Sequence, residues 1–210
     1  KEKWVLSHPT SIWNVKVPSV VWGVYHHYNK SVTASSASFI RAGLVHRLDM
    51  DTDGFMIIAK TEAWLAHFKA LFQQKSNAPT SQEKEAVPLK KYYRADCIVT
   101  PEGDRFLQKI RDTLPYTIEQ VVIPKVPYTV PKMGITKILT ISAITNWRCV
   151  LIVEILTWRT HQIRCHLTKA WLPIFADPLY GTEIPWMVTQ LTAYRLEFLD
   201  MDGTIRVMEE

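Results

Sequence analysis

Apolar residues along this chain fall into short alternating runs and two stretches of helical period. Trp64, Leu65, Phe68, Leu71 and Phe72 recur at helical spacing. Thr61 stands where an N-cap is needed, and Glu62 sits in the first turn, where the macrodipole favours an acid. Lys91 to Val99 alternates instead, with Tyr93, Ala95, Cys97 and Val99 on one face of a strand. Ile138 to Ile144 and Arg148 to Thr157 are also strand-like, and Thr160 is placed to cap a helix over His161 to Ala170 that stops before Pro173. Ala42 to Leu48 reads as a strand running into a turn at Met50-Asp51-Thr52-Asp53-Gly54, with a short apolar strand from Phe55 to Ala59. Lys1 to Lys30, with its short apolar run Val20 to Tyr25, predicts irregular structure with one or two strands. Gln73 to Pro88 is polar and aperiodic and predicts an exposed loop. Pro101 to Pro131 carries prolines at 101, 115, 124, 127 and 131, which excludes a regular central element and predicts an insertion or extended arm. Strand signals outnumber helix signals and the helices are interspersed, so the fold class is α+β.

Composition narrows the function classes. Of 210 residues 47% are apolar and 21% charged, with 7 Gly. That is enough apolar material for a core, too much for a disordered chain, and too little glycine for a collagen-like one. Cys97, Cys149 and Cys165 are odd in number and lack CxxC spacing, which argues against a disulfide scaffold or a cysteine zinc site and for a reducing compartment. The most apolar stretch, Ile138 to Trp158, is interrupted by Asn146, Arg148 and Glu154, so no run is long enough to span a bilayer. A formal charge of +5, with eight Trp and eight Tyr, suits a surface that meets phosphates with cations and bases with rings. Composition alone fits a solvated surface over a Trp-rich core better.

Three segments carry candidate chemistry. In His46-Arg47-Leu48-Asp49-Met50-Asp51-Thr52-Asp53-Gly54, the alternating acids open like a calcium loop. The twelfth position, which must supply a bidentate acid, is Lys60, so the calcium reading fails. What remains is an arginine and an aspartate presented together at the end of a strand, or else an Asp-rich surface turn. A carboxylate beside a guanidinium stays ionised and aimed. In the segment Trp158 to Leu167, His161 and Arg164 share a helix face, whereas His161 and His166 lie about 140° apart and make no metal pair. Arg164 is thus a fixed cation near a helix start, available to a phosphate or a carboxylate. Lys90-Lys91-Tyr92-Tyr93-Arg94-Ala95 joins tyrosines on which bases can stack to flanking cations.

Taken in order, these segments resemble the RluA-type pseudouridine synthases. The family's HRLDxxTSG is matched by HRLDMDTDG at His46 to Gly54, and its KxYxA by KYYRA at Lys91 to Ala95. Its GRTHQIRxHLxxxGxPIxGDxxYG is similar to RTHQIRCHL at Arg159 to Leu167 and PIFADPLYG at Pro173 to Gly181, and its closing LHAxxLxF to Leu191 to Phe198. The resemblance implies a single catalytic domain over residues 1–210, poorly matched over 1–40 and with a Pro-rich insertion at 101–137. It would be a long, mostly antiparallel mixed sheet with flanking helices around a central cleft. It implies isomerisation of uridine to pseudouridine in structured RNA, with no cofactor and no metal. Ribosomal large-subunit RNA is the expected substrate, with tRNA second. Ribosomal subunit or assembly proteins are the expected protein partners, and no membrane is involved. Carried over to this sequence, Asp49 is the catalytic aspartate, Tyr93 packs on the target base and assists proton removal, and Arg164 pairs with the aspartate. Arg47 fills the space left by the extruded base, and His46, Lys91, Arg159, His161 and Gln162 join it in binding RNA. Divergent loops, the Trp-rich N-terminal stretch and the Pro-rich segment suggest a mitochondrial address, with cytoplasm as the alternative. Departures from the motifs are Asp53 for Ser, Trp158 for Gly, Phe175-Ala176 before Asp177, and Thr192 for His. They admit an alternative, a catalytically weak or inactive RNA-binding scaffold of the same fold in ribosome assembly.

Overall fold

The computed structural model describes residues 1–7, 18–27 and 43–210. Its helices are α1 (Val20–His27), α2 (Glu62–Asn77), α3 (Ser81–Ala86), α4 (Pro101–Ile110) and α5 (Gln162–Lys169). Its strands are β1 (Asp53–Gly54), β2 (Leu89–Ile98), β3 (Tyr116–Val122), β4 (Lys132–Ile141), β5 (Arg148–Ile155), β6 (Leu191–Leu199) and β7 (Ile205–Glu209). All seven strands form one sheet in the order β1-β6-β2-β5-β4-β3, with β7 also on β6. Every pairing is antiparallel except β1 with β6, so the sheet is mixed and mostly antiparallel in an α+β fold.

The alternation read along Lys91 to Val99 fixes what the sheet presents. Leu89, Lys91, Tyr93, Ala95 and Cys97 of β2 all point to its buried face. At one end of that face Leu89 packs under α2 with Leu65, Phe68 and Leu71. At the other, Ala95 and Cys97 pack with Leu107 and Ile110 of α4 and with Ile163 and Leu167 of α5. Burying a side chain of this size contributes about 1.5–3 kcal/mol, which makes these two clusters the main support of the sheet. Lys91 and Tyr93 lie on the same face in the gap between them. The candidate site opens there.

Several expectations change. The Thr61 cap holds, its hydroxyl accepting the Trp64 amide at 3.3 Å, but the polar stretch after Gln73 is not a loop. Helix α2 continues to Asn77 and α3 follows, capped by Thr80. Lysines fill their inward positions. Lys75 donates to the Leu89 carbonyl at 2.5 Å, and Lys84 donates to the carbonyls of Lys75, Ser76 and Ala78 at the end of α2. The Pro-rich segment is no irregular arm. Pro101 occupies the first turn of α4 behind the Thr100 cap, where a missing N–H costs nothing, and β3 is an edge strand ending before Pro124. Val20 to Tyr25 lies in helix α1 rather than a strand, with the Ser19 hydroxyl accepting from Trp22. The segments predicted as strands on either side of the Asp-rich turn form no ladder, and their backbones pair at an isolated bridge between Leu44 and Ile58. Ala42 and residues 8–17 and 28–30 of the N-terminal prediction lie outside the described residues.

Candidate active site

Asp49 is held by its neighbours' backbones. Leu48 is buried, and both its polar groups close on one side chain. Its amide donates to the Ser7 hydroxyl at 2.9 Å, and that hydroxyl donates to the Leu48 carbonyl at 2.8 Å. The Thr52 amide then bonds the Asp49 carbonyl at 3.1 Å to close the turn. Gly54 anchors the far end by running against β6. Its φ is +108°, and a Cβ there would lie 2.2 Å from the Ala193 oxygen, so only glycine allows the approach. The β6 strand is irregular opposite Tyr93, where its register with β2 slips between Tyr92 and Arg94. Such irregularities re-aim side chains next to functional sites.

The three acids of this loop diverge. Asp49 Oδ2 lies 4.0 Å from His161 Nε2, Asp51 Oδ2 lies 3.9 Å from an Arg164 nitrogen, and Asp53 Oδ2 lies 3.9 Å from Lys3 Nζ. Asp53 therefore adds no third acid to the cleft, although it replaces a small residue of the motif.

Arg164 does not make the predicted pair with Asp49. Its guanidinium is 1% exposed and forms a two-pronged pair with the buried Asp177, at 2.7 and 2.6 Å. Asp177 Oδ1 also accepts the amides of Leu179 and Tyr180. Burial works against the arginine's charge. The hydrogen bonds and charge of Asp177, with the fields of Asp49 and Asp51, more than offset it and raise its pKa above the usual value. Arg164 thus acts on Asp49 through its field rather than by contact.

His161, read from the sequence as an RNA-binding residue, is the nearest cation-forming group to Asp49. It, and not Thr160, is the residue before α5, in the left-handed region at φ 54°. Its Nδ1 lies 3.0 Å from the Tyr180 hydroxyl, which also accepts the Lys125 amide at 2.6 Å. Burial lowers the His161 pKa, Asp49 opposes that, and Arg164 adds to it.

Asp49, Tyr93 and Arg164 line one cleft of about 600 Å³ of open space, together with Arg47, Lys91 and Trp158. Arg47 is exposed at the mouth, and Arg159 is half-buried, with one donor spent on the Met133 carbonyl at 2.8 Å. Gln162 is not available to RNA. Its oxygen accepts from Thr157 and Arg159, its nitrogen donates to Ile135 and Thr136, and so its amide tethers the turn to β4. Lys91 is a buried cleft lysine rather than a surface cation, and His46 is bound to it. Trp158 keeps its φ out of the left-handed region. Its indole donates to Ser76 at 2.9 Å and packs edge-on to Phe72, so it walls the cleft where the motif has glycine. Tyr92 points away, its ring against the Arg195 guanidinium. Asp177, Tyr180 and Ser7 were not singled out as functional residues in the sequence. The first two stand inside the matched PIFADPLYG motif, which was the available signal.

A family model described as RNA pseudouridylate synthase matches residues 1–169. The chain belongs to that family. It is of the RluA type foreseen from the motifs. It is 32% identical over 183 residues to an RNA pseudouridine synthase of Mycoplasma genitalium, covering 86% of this chain and 51% of that protein. It is 32% identical over 145 residues to the ribosomal large subunit pseudouridine synthase D of Pseudomonas aeruginosa, covering 69% and 40%. The chain therefore spans about half the length, or less, of these relatives. The fold agrees with the solved human RNA pseudouridylate synthase domain containing 4, with a TM-score of 0.68 at 15% identity. That match covers 100% of this chain and 82% of the human one. In this pseudouridylate synthase domain Asp49, Tyr93 and Arg164 meet in one cleft, and the arginine leans on Asp177.

Proposed function

We propose that this domain isomerises uridine to pseudouridine in structured RNA, with large-subunit ribosomal RNA as its substrate. The observation that carries the reading is the meeting of Asp49, from the loop before β1, with Tyr93, from β2, in one open cleft. Arginines 47 and 159 stand at the same cleft to receive phosphates. The target uridine leaves its stack at a cost of a few kcal/mol, and Tyr93 and Trp158 supply aromatic walls that offset it. Asp49 acts at the sugar, where the N1–C1′ bond breaks and a C5–C1′ bond forms. The substrate class rests on family membership and on the ribosomal relative.

The test is primer-extension mapping of pseudouridine on ribosomal and transfer RNA exposed to the wild type or to Asp49→Asn. A mark in large-subunit RNA that disappears in Asp49→Asn while RNA binding stays within about threefold supports the reading. A mark confined to tRNA overturns the substrate. Tight binding with no mark from either protein overturns the activity and leaves an RNA-binding scaffold.

A further inference from the structure

His46 and Lys91 form a pair whose protons can be counted. The Ile57 amide donates to His46 Nε2 at 2.9 Å, so that nitrogen carries a lone pair. A neutral imidazole then has its one proton on Nδ1. Nδ1 lies 3.3 Å from Lys91 Nζ, and two proton-bearing nitrogens cannot share that contact. An Nδ1–H···Nζ bond makes Nζ the acceptor, with a free lone pair. Stacking on Phe72, at 5.5 Å between centroids, holds the imidazole in place.

We propose that Lys91 stands in the empty cleft as a neutral amine, held by the Nδ1–H of His46, and that it accepts the proton lost from C5 of the rearranged base. The second half of this statement rests on the function proposed above. Nζ lies 5.8 Å from the Tyr93 ring centre and 5.6 Å from that of Trp158, so it faces the space between the two aromatic walls. The groups acting on it are His46 and Asp49 from the loop, Lys75 from α2, and Tyr93 from its own strand. Burial and Lys75 disfavour its charge and Asp49 favours it, leaving its pKa lowered to about 7. Tyr93 is no competitor, because burial and then the Asp49 charge raise its pKa and keep its phenol protonated. Asp49 is already engaged at the sugar.

The step balances. Once C5 is bonded to C1′, the electron pair of its C5–H bond becomes the C5=C6 double bond. The displaced C6=N1 pair settles on N1, which takes a proton from solvent. The C5 proton goes to Nζ, and the resulting ammonium returns a proton to solvent.

Two measurements on the full chain test this. In ¹⁵N- and ¹³C-lysine-labelled protein, assigned by Lys91→Arg, the Lys91 side-chain resonances should titrate near pH 7. Resonances that stay in the ammonium position through pH 9 overturn the neutral amine whether or not the protein is active. The second measurement uses single turnovers on an rRNA fragment transcribed with uridine, with C5-deuterated uridine or with 5-fluorouridine. Lys91→Met and Lys91→Arg should slow uridine turnover about 100-fold, the range of a lost proton acceptor, and should show a primary isotope effect at C5. Both should rearrange 5-fluorouridine at the wild-type rate, because a C5–F centre loses no proton. Equal losses on both bases would make Lys91 a binding residue and overturn the proposal. No pseudouridine from the wild type would overturn the function and with it this role, while the titration still decides the amine.

Discussion

Replacing Asp177 by Asn removes a charge and one hydrogen-bond acceptor while keeping the side chain's shape. The amide oxygen can still accept the Leu179 and Tyr180 amides that Asp177 Oδ1 holds at 3.0 and 3.1 Å. What is lost is the counter-charge of a guanidinium that is 1% exposed, and the oxygen Oδ2 that accepts from Arg164 Nε at 2.7 Å. Asp51, at 3.9 Å, is the remaining acid within reach of Arg164. Breaking a buried pair from one side costs about 3–5 kcal/mol, because a desolvated charge is stranded. In a chain of this length each kcal/mol moves the melting temperature by about 2–4 °C, so Asp177→Asn should melt roughly 6–20 °C below the wild type. Removing both charges, in Arg164→Met with Asp177→Asn, should recover more than half of the loss, since no unpaired charge stays behind. Differential scanning calorimetry of the four proteins in this cycle measures the coupling. A single mutant within 2 °C of wild type, or a double mutant that simply adds the two losses, would show that the pair is not the electrostatic unit described.

Three further outcomes follow from the same geometry. Ser7→Ala strands both the amide and the carbonyl of the buried Leu48 and should cost about 1–3 kcal/mol, with faster hydrogen exchange at the Leu48 amide. Tyr180→Phe removes the oxygen that accepts the Lys125 amide at 2.6 Å and should cost about 0.5–1.5 kcal/mol in denaturant melts. Lys91→Met should stabilise the protein. The folded pKa of Lys91 lies below its unfolded value of 10.5, so between about pH 7 and 10.5 the native state binds fewer protons and stability rises with pH. The gain from Lys91→Met is therefore largest below pH 7 and shrinks by about 1.4 kcal/mol per pH unit above it, in denaturant melts across pH 6–10.

How much of this was readable along the chain depends on which interaction placed each residue. Tyr93 was legible because alternation on β2 depends on the strand alone. The Asp49 loop was legible as chemistry but not as position, since its place comes from a two-residue parallel bridge to β6 some 140 residues later in the chain. The stretch after Gln73 was misread because hydrophobic periodicity cannot register a helix whose inward residues are Lys75 and Lys84. Their ammoniums are buried by helix-end and strand carbonyls, not by apolar neighbours. The Thr-Pro-Glu-Gly-Asp start of α4 is a helix signal that proline content alone conceals, because a proline in the first turn favours a helix. Arg164 was given the wrong partner for a related reason. Two carboxylates within the same motifs compete for one guanidinium, and only the chain's path from α5 to Tyr180 decides that Asp177 wins.

Lys91 is the position at which stability and site chemistry part company. Moving a lysine pKa from 10.5 to about 7 corresponds to about 5 kcal/mol at neutral pH, a third or more of a typical domain's total stability. Nothing in the packing asks for it. Its neighbours on the same face of β2, Leu89 and Ala95, show that the face accepts apolar residues readily. Lys75, by contrast, has a strand carbonyl and Glu154 to answer its charge, and accordingly keeps a pKa of about 8. Lys91 has a histidine that arrives with its proton on the wrong side for an ammonium. A fold that keeps an amine there, between two aromatic walls and near an aspartate, pays in stability for a lone pair, and a lone pair matters only to something that enters the cleft with a proton to lose.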